Sequence, residues 1–358
     1  MEFTAGKQKR RCISTDRYQV VRQVIHDGIQ EGLIPGAVAR IGRVDEVLWH
    51  HHEGDAQVLG ERRAMTDDTV FDLASLTKVV ATLPALLLLV QSGQIALDAP
   101  VSRYFSAFGD GLKAQVRLFH LLTHTAGLVS HRPLYRWAQE NGEIVKLAAE
   151  SPLVLEPGTK VVYSDLGFIL LGALVAKVSG ETLNTFCASR IFEPLGMSRT
   201  GFVPSGVGDF AATEMVDNRV LSGVVHDENA RAMGGTAGHA GLFAPAGDLV
   251  RYLALWTGRG GVLREIVKEA AIKSYTPGLG GNRGWGFVLR GDAYDIAGDL
   301  WPATAASHTG FTGTSLVFDR KSGYWAVLLT NRVHFGRQVE INDFRRRFHN
   351  AVAACLFG

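Results

Sequence analysis

The sequence is poor in cysteine and carries almost no net charge, and both features exclude several classes of protein. Its three cysteines, Cys12, Cys187 and Cys355, are odd in number, far apart and outside any ligand-like spacing. They offer no disulfide framework and no cysteine metal site, and they predict inert thiols in a reducing compartment. The net charge of +2 over 358 residues creates no general field that would recruit nucleic acid or an anionic membrane.

A long uninterrupted apolar run is also missing. The longest run, Val79 to Val90, is broken by Thr82 and Pro84, and it is shorter than the roughly 20 residues that cross a bilayer. We therefore expect a core helix there. Residues 1–14 are basic but lead into no apolar segment of the kind that a secretory signal contains, so we expect a flexible basic tail on a cytoplasmic protein.

The sequence does contain strand patterns at both ends and helical patterns between them. Apolar spacing predicts helices at 15–32, 75–92, 116–127, 165–180, 246–260 and 341–357, and strands at 36–43, 46–56, 284–290, 306–319 and 324–333. This order predicts an α+β protein whose antiparallel sheet is built from both chain ends and flanked by the N- and C-terminal helices. Residues 15–74 and 283–358 would form the sheet lobe, and residues 75–282 an inserted all-helical lobe of the same domain, with the site between them.

The stretch FDLASLTKVVATLPALLLLVQSG, residues 71–93, places one nucleophile and one titratable charge on an otherwise apolar helix. Ser75 and Lys78 are three residues apart and therefore share one helical face. Unpaired backbone N–H groups at a helix start favour negative charge on an attacking serine oxygen. Lys78 would accept the serine proton if its surroundings lowered its pKa from about 10.4 toward neutrality. An N-cap serine with a solvent-reaching lysine is the alternative.

Two later motifs carry further candidate groups. Tyr163 comes just before the predicted helix that begins near Asp165, where its hydroxyl could relay protons to a leaving group. The backbone N–H of Phe311, directly after Gly310, could pair with that of Ser75 as an oxyanion hole. Taken singly, the tyrosine also fits a core residue and the glycine fits a bulge or turn.

Together, S-x-x-K on the first core helix, Y-S-D at mid-chain and H-T-G on a late strand resemble the motifs of the serine β-lactamase and D,D-peptidase superfamily. The resemblance covers about residues 18–357 and is strongest to the class-C-like branch that includes family VIII esterases. It implies a β-lactamase/D,D-peptidase-like fold and a cofactor-free acyl-enzyme mechanism. It assigns Ser75 as the acylating nucleophile, Lys78 as its base, Tyr163 as the proton shuttle, and His308, Thr309 and Gly310 as the third motif, which is usually Lys-Thr-Gly.

Two residues depart from the family's pattern. Asp165 stands where class C enzymes keep an asparagine that holds the substrate amide. His308 replaces a permanently charged lysine with an imidazole that is mostly neutral at pH 7. We therefore expect activity to titrate near the imidazole pKa of about 6.5. We also expect weaker binding of a β-lactam carboxylate, because Asp165 repels it and His308 offers little charge.

The phrases VHDENA, GHAGLF and LLTNRVH are similar to those of N-acetylmuramoyl-L-alanine amidases of cell-wall recycling. This resemblance favours a muropeptide or other cell-wall fragment, a small-molecule substrate whose carboxylate or sugar would meet Asn331 and Arg332 at the cleft rim. An arginine that caps the strand end is equally compatible with the pattern. The alternatives are a family VIII-type carboxylesterase or β-lactamase, and a penicillin-binding-like sensor without turnover. The oligomeric state stays open.

Two histidine-containing stretches raise the question of a metal. The first holds four potential ligands, His226, Asp227, Asn229 and His239. We favour hydrogen-bonded residues that hold a glycine-rich wall of the cleft. In the second, His50 and His52 share one face of a predicted strand, where a solvated surface is the preferred interpretation. The prediction is therefore no metal and no cofactor.

Overall fold

The structure, a computed structural model, describes residues 17–204 and 209–358. The predicted basic tail over 1–14 lies outside the described residues. The helices are α1 (Gln19–Gln30), α2 (Leu83–Gln91), α3 (Leu118–Leu122), α4 (Asn141–Glu150), α5 (Asp165–Ser179), α6 (Leu183–Cys187), α7 (Glu193–Leu195), α8 (Glu228–Ala232), α9 (Ala246–Thr257), α10 (Glu265–Ala271) and α11 (Asn342–Phe357). The strands are β1 (Gly36–Arg43), β2 (Glu46–Gln57), β3 (Arg63–Ala64), β4 (Val70–Asp72), β5 (Gly201–Phe202), β6 (Met215–Val216), β7 (Arg219–Val220), β8 (Leu242–Pro245), β9 (Val288–Leu289), β10 (Ala306–Thr309), β11 (Ser315–Phe318) and β12 (Tyr324–Thr330).

The main antiparallel sheet joins the two ends of the chain, as the sequence predicts. Its strand order is β3-β2-β1-β12-β11-β10-β9. The N-terminal strand β1 pairs with the late strand β12 from Ala37 opposite Thr330 to Arg43 opposite Tyr324. Both strands lie in the interior of the sheet, where neighbouring strands satisfy their backbone groups on either side. The α+β prediction is confirmed.

Both faces of the sheet are covered, because successive side chains of a strand point to opposite sides. On one face, Ala37, Ala39 and Ile41 pack with the apolar stripes of α1 and α11, the predicted flanking helices. On the other face, Val38 joins the larger core that the helical part of the chain shares. This second face also receives α9 against β1, β11 and β12.

The apolar segment that carries Ser75 and Lys78 is a core element. The stretch Ala74–Gln91 has the length and hydropathy of a membrane span, but 78% of it is buried inside the described protein. It begins with a 3-10 turn at Ala74–Leu76, continues as a π-helical turn at Lys78–Thr82 and ends as α2. Burial on all sides is what the sequence predicts for a core helix.

A second sheet, β4-β8-β5, has no counterpart in the sequence prediction. Its strands are two to four residues long, too short to show the alternation that identifies a strand. Because β4 pairs with β8, this sheet crosses the proposed boundary between the lobes at residue 75. The sheet matters for function because β4 ends three residues before Ser75.

Candidate active site

A strained turn leads from β4 into Ser75. Ala74 has a φ of 44°, a left-handed conformation that costs a non-glycine residue roughly 1–2 kcal/mol. The buried carboxylate of Asp72 supports the turn: its Oδ1 accepts a hydrogen bond from the Ala74 N–H at 2.8 Å, and its Oδ2 accepts one from the His226 N–H at 2.7 Å. The structure thus places Ser75 in the first turn of the helical segment, in a fixed orientation.

The Lys78 ammonium lies directly behind Ser75. Its side chain is fully buried, and Nζ donates to Ser75 Oγ at 3.0 Å, to Asp165 Oδ1 at 2.8 Å and to the His239 carbonyl at 3.0 Å. An ammonium group has three N–H bonds, and each of them has an acceptor here. Ser75 and Lys78 are therefore in direct contact, as their spacing predicts.

The surroundings of Lys78 do not lower its pKa toward neutrality, which was the condition for Lys78 to act as a base. Burial alone lowers the pKa of Lys78, but the Asp165 carboxylate and the Tyr163 phenol outweigh burial and raise it above its ordinary value. Burial likewise favours a higher pKa for Asp165, but Lys78 and His131 hold that pKa well below its usual range. The sequence predicts that Asp165 faces the substrate, whereas its carboxylate faces Lys78.

Tyr163 lies beside the same ammonium group. Lys78 Nζ is 5.0 Å from the centroid of the Tyr163 ring, and the ring of His124 packs behind it with a centroid separation of 4.6 Å. Burial raises the pKa of Tyr163, and Lys78 lowers it only in part. The phenol is therefore protonated at neutral pH and available as a proton donor.

The third motif approaches the turn before Ser75 so closely that only glycine fits. A Cβ added to Gly310 would lie 2.1 Å from Thr314 Oγ1 and 2.3 Å from the Leu73 carbonyl oxygen. The Thr314 hydroxyl also donates to that carbonyl at 3.1 Å. Gly310 therefore lets the end of the strand pack against the segment that carries Ser75, and this contact brings the backbone of Phe311 close to Ser75.

His308 lies at the end of β10, where it stays neutral over the physiological pH range. It is buried, and its Nδ1–H donates to the Thr309 carbonyl at 2.8 Å. Burial, together with the positive charges of Lys78 and Arg283, lowers the pKa of His308 to about 3. The expectation of a titration near pH 6.5 at this residue is therefore wrong, because no pattern in the sequence indicates that His308 is buried beside two cations.

A cavity of about 330 Å³ brings most of the predicted residues together. Its lining includes Ser75, Tyr163, His308, Thr309, Gly310, Phe311 and Arg332. Lys78 and Asp165 lie behind the wall that Ser75 forms, joined to it by the hydrogen bonds of the lysine. The arrangement offers a nucleophile, an adjacent amine and a phenol at one concave surface, which is what acyl transfer requires.

The structure places the two predicted rim residues differently from each other. Asn331 is buried, and its Nδ2 donates to the carbonyls of Ala56 and Ala212, so its predicted rim role is wrong. Arg332 does line the cavity, but its guanidinium donates to the backbone carbonyl of Phe311 at 2.8 Å and lies 4.5 Å from the centroid of that ring. It supports the position of Phe311.

The histidine stretch near residue 226 forms hydrogen bonds, the interpretation that the sequence favoured. Nε2 of His226 contacts Glu214 at 3.1 Å, and Nε2 of His239 contacts Asp227 at 2.9 Å. Asn229 binds the backbone of residues 132 and 135. Within the described ranges, no group of three or more His, Cys, Asp or Glu side chains is arranged to hold a metal ion.

Sequence reasoning missed three residues that contribute to the site. Asp72 precedes the serine at a spacing typical of a turn-forming aspartate, a signal that would have identified it. Arg283 lines the cavity and pairs with Asp292 through two nitrogen–oxygen contacts of 2.9 and 3.0 Å. His131 contacts Asp165 Oδ2 at 3.3 Å. No local pattern marks either Arg283 or His131.

Known proteins resemble the chain over most of its length. A family model described as Beta-lactamase matches residues 21–351. The chain is 31% identical to the N-acetylmuramyl-L-alanine amidase of Bacillus subtilis (strain 168), an alignment that covers 90% of this chain and 82% of that protein. The solved structure of EstCE1, a hydrolase with promiscuous acyltransferase activity, has a TM-score of 0.75 and 26% identity, covering 94% of this chain and 98% of its own.

A further solved structure, the unliganded simvastatin synthase of Aspergillus terreus, has a TM-score of 0.76 at 20% identity and covers 95% of this chain and 99% of its own. At that identity the likeness concerns the fold. The β-lactamase/D,D-peptidase-like fold expected from the three motifs is confirmed. Because the family model spans nearly the whole described chain, this protein is a serine hydrolase that belongs to the Beta-lactamase family.

Proposed function

We propose that Ser75 attacks an amide or ester carbonyl and forms an acyl-enzyme, with Lys78 accepting the serine proton. The observation that carries this proposal is the three-fold hydrogen bonding of Lys78 Nζ. A neutral amine at the same position would accept the Ser75 hydroxyl proton through its lone pair and keep its two N–H bonds on Asp165 and on the His239 carbonyl. Proton transfer therefore requires no rearrangement of the site.

The remaining steps follow from the groups around the cavity. The N–H groups of Ser75 and Phe311 would stabilise the oxyanion that forms when the carbonyl is attacked. Tyr163, protonated at neutral pH, would deliver a proton to the leaving nitrogen or oxygen and be reprotonated from Lys78. Water then hydrolyses the acyl-enzyme along the reverse proton path. The chain supplies every group that these steps need, without a cofactor.

The substrate class we propose is a muropeptide fragment, with an amide bond as the scissile bond. The Bacillus subtilis relative is an N-acetylmuramyl-L-alanine amidase and aligns over 90% of this chain. The cavity also offers cations for a peptide carboxylate. Arg346 is the exposed one among them, and we assign it the rim role that was predicted for Arg332.

A simple ester is the second candidate, and the aromatic wall of the cavity favours it. The side chains of Phe311 and Tyr294 line the cavity and are 46% and 55% exposed. Exposed aromatic rings beside the nucleophile would bind an apolar acyl group. EstCE1, similar in fold and 26% identical, is a hydrolase with acyltransferase activity.

The test is covalent labelling followed by substrate comparison. A fluorophosphonate should add one adduct to the intact mass, and Ser75→Ala should abolish it. Ser92→Ala, at the far end of the same helical segment, is the matched control and should label normally. An adduct that persists in Ser75→Ala would refute the nucleophile. A kcat/KM for p-nitrophenyl butyrate that exceeds that for N-acetylmuramoyl-L-alanine would favour the esterase instead.

A further inference from the structure

His131 shares the Asp165 carboxylate with Lys78. Its Nδ1 lies 3.3 Å from Asp165 Oδ2, while Lys78 Nζ lies 2.8 Å from Asp165 Oδ1. The two oxygens of one carboxylate thus bind a fully buried amine on one side and an imidazole that is 45% exposed on the other. A chain of contacts runs from solvent through His131, Asp165 and Lys78 to Ser75.

The charges nearest to His131 are acidic. The titratable and charged groups that face it are Asp165 at the start of α5, Asp227 and Glu228 at the start of α8, and, behind Asp165, Lys78 and His239. The hydrogen bond to Asp165 raises the pKa of His131 above its ordinary value; burial opposes this, and the charges of Asp165, Asp227 and Glu228 add to it. The imidazole therefore keeps its proton to a higher pH than an isolated one.

We propose that His131 is a positioning residue that couples the pH of the solvent to the charge of Lys78 through Asp165. This inference rests on the proposed role of Lys78 as the base. When His131 is neutral, the whole Asp165 charge holds Lys78 as an ammonium, which cannot accept the serine proton. When His131 is protonated, the two cations compete for one carboxylate, and a larger fraction of Lys78 is the neutral amine.

This competition has a characteristic signature because the two sites titrate together. If neutral Lys78 is the active form, kcat/KM falls tenfold per pH unit below the lysine pKa. Across the titration of His131 the fall becomes shallower, because each imidazolium formed makes Lys78 easier to deprotonate. Two parallel limbs result, offset by roughly threefold to tenfold for charges bridged by one carboxylate.

The first measurement is the pKa of His131 itself, by NMR of the imidazole Cε1–H resonance, assigned by its loss in His131→Gln. The pKa should fall by roughly one unit or more in Asp165→Asn, which removes the carboxylate, and rise in Lys78→Met, which removes the competing cation. It should stay unchanged in Ser75→Ala. If the pKa of His131 were unchanged in both Asp165→Asn and Lys78→Met, the proposal would be overturned, whether or not Ser75 is the nucleophile.

The second measurement is the pH profile of kcat/KM for p-nitrophenyl butyrate. The glutamine of His131→Gln can still donate to Asp165 but cannot titrate, so the offset between the two limbs should vanish while the protein still labels with fluorophosphonate. His26→Gln is the matched control, because His26 contacts Glu53 at 2.7 Å and is 48% exposed; its profile should keep the offset. An offset that survives in His131→Gln would overturn the coupling. If the wild-type protein did not label with fluorophosphonate, only the proposed function would be overturned, because the NMR titration does not depend on turnover.

Discussion

Asp165→Asn should turn a lysine that is stored as an ammonium into a base that is free near neutral pH. The carboxylate lies 2.8 Å from a lysine whose side chain is fully buried, while Asp165 itself is 17% exposed. At an effective dielectric constant of about 20, Coulomb's law gives roughly 6 kcal/mol for this separation, an upper bound for the pair. Opposite charges this close shift measured pKa values by about 1–3 units, or about 1.4–4 kcal/mol.

The activity of the variant follows from that shift. Asparagine keeps an oxygen that can accept from Lys78 but carries no charge, so burial dominates and the pKa of Lys78 falls. The acid limb of kcat/KM for p-nitrophenyl butyrate should move about 1–3 pH units lower. Asp67→Asn is the control, because Asp67 pairs with Arg40 away from the cavity. An acid limb that stays at the wild-type pH in Asp165→Asn would refute the assignment of the limb to Lys78.

The stability of the same variant should depend on pH in a defined direction. With the carboxylate gone, the folded-state pKa of Lys78 lies below its unfolded value of about 10.4. The folded protein then binds fewer protons than the unfolded chain between these two values, so its stability rises with pH in that range. Urea unfolding should show a deficit of about 2–4 kcal/mol at pH 5 that shrinks toward pH 9. A deficit independent of pH would indicate lost packing in place of a buried charge.

Three further changes probe the rest of the site. Gly310→Ala should lower kcat/KM at least 100-fold, because its Cβ would overlap Thr314 and the backbone before Ser75; Gly142→Ala, where a Cβ meets open space, should have no such effect. His308→Gln should not change the shape of the pH profile between pH 5 and 8, because the pKa of His308 is about 3. If an inflection in that range disappeared in the variant, the result would contradict the burial of His308. Asp72→Ala should lower the free energy of unfolding by about 2–4 kcal/mol, since two buried N–H groups lose their acceptor, and an unchanged urea midpoint would show that the turn holds without it.

The parts of this structure that follow from backbone periodicity could be predicted from the sequence. Ser75 and Lys78 meet because residues three apart share a helical face. The hairpin of β1 and β2 was visible as two strand patterns joined by a short turn. The short strands β4 and β8 were not, since three or four residues cannot establish a period.

The charges of the site could not be predicted, because they depend on which groups face each other across distant segments. Lys78 and Asp165 are 87 residues apart, and no spacing rule connects them. The burial of His308 and its nearness to Arg283 are equally invisible along the chain. Each of these contacts reverses or shifts an expected pKa. The motifs therefore identify the candidate active site, whereas its protonation states depend on the three-dimensional arrangement.

The position of Asp165 changes the expected discrimination against β-lactams. The predicted repulsion between Asp165 and a substrate carboxylate is wrong in its premise, because the Asp165 charge is balanced by Lys78 and contacted by His131. As the first residue of α5 it is also favoured by the positive end of that helix. The remaining reason for weak β-lactam binding is that the third motif carries no cation, because His308 stays neutral above about pH 3. Any preference against nitrocefin should therefore survive in Asp165→Asn, and it should be the third motif that sets it.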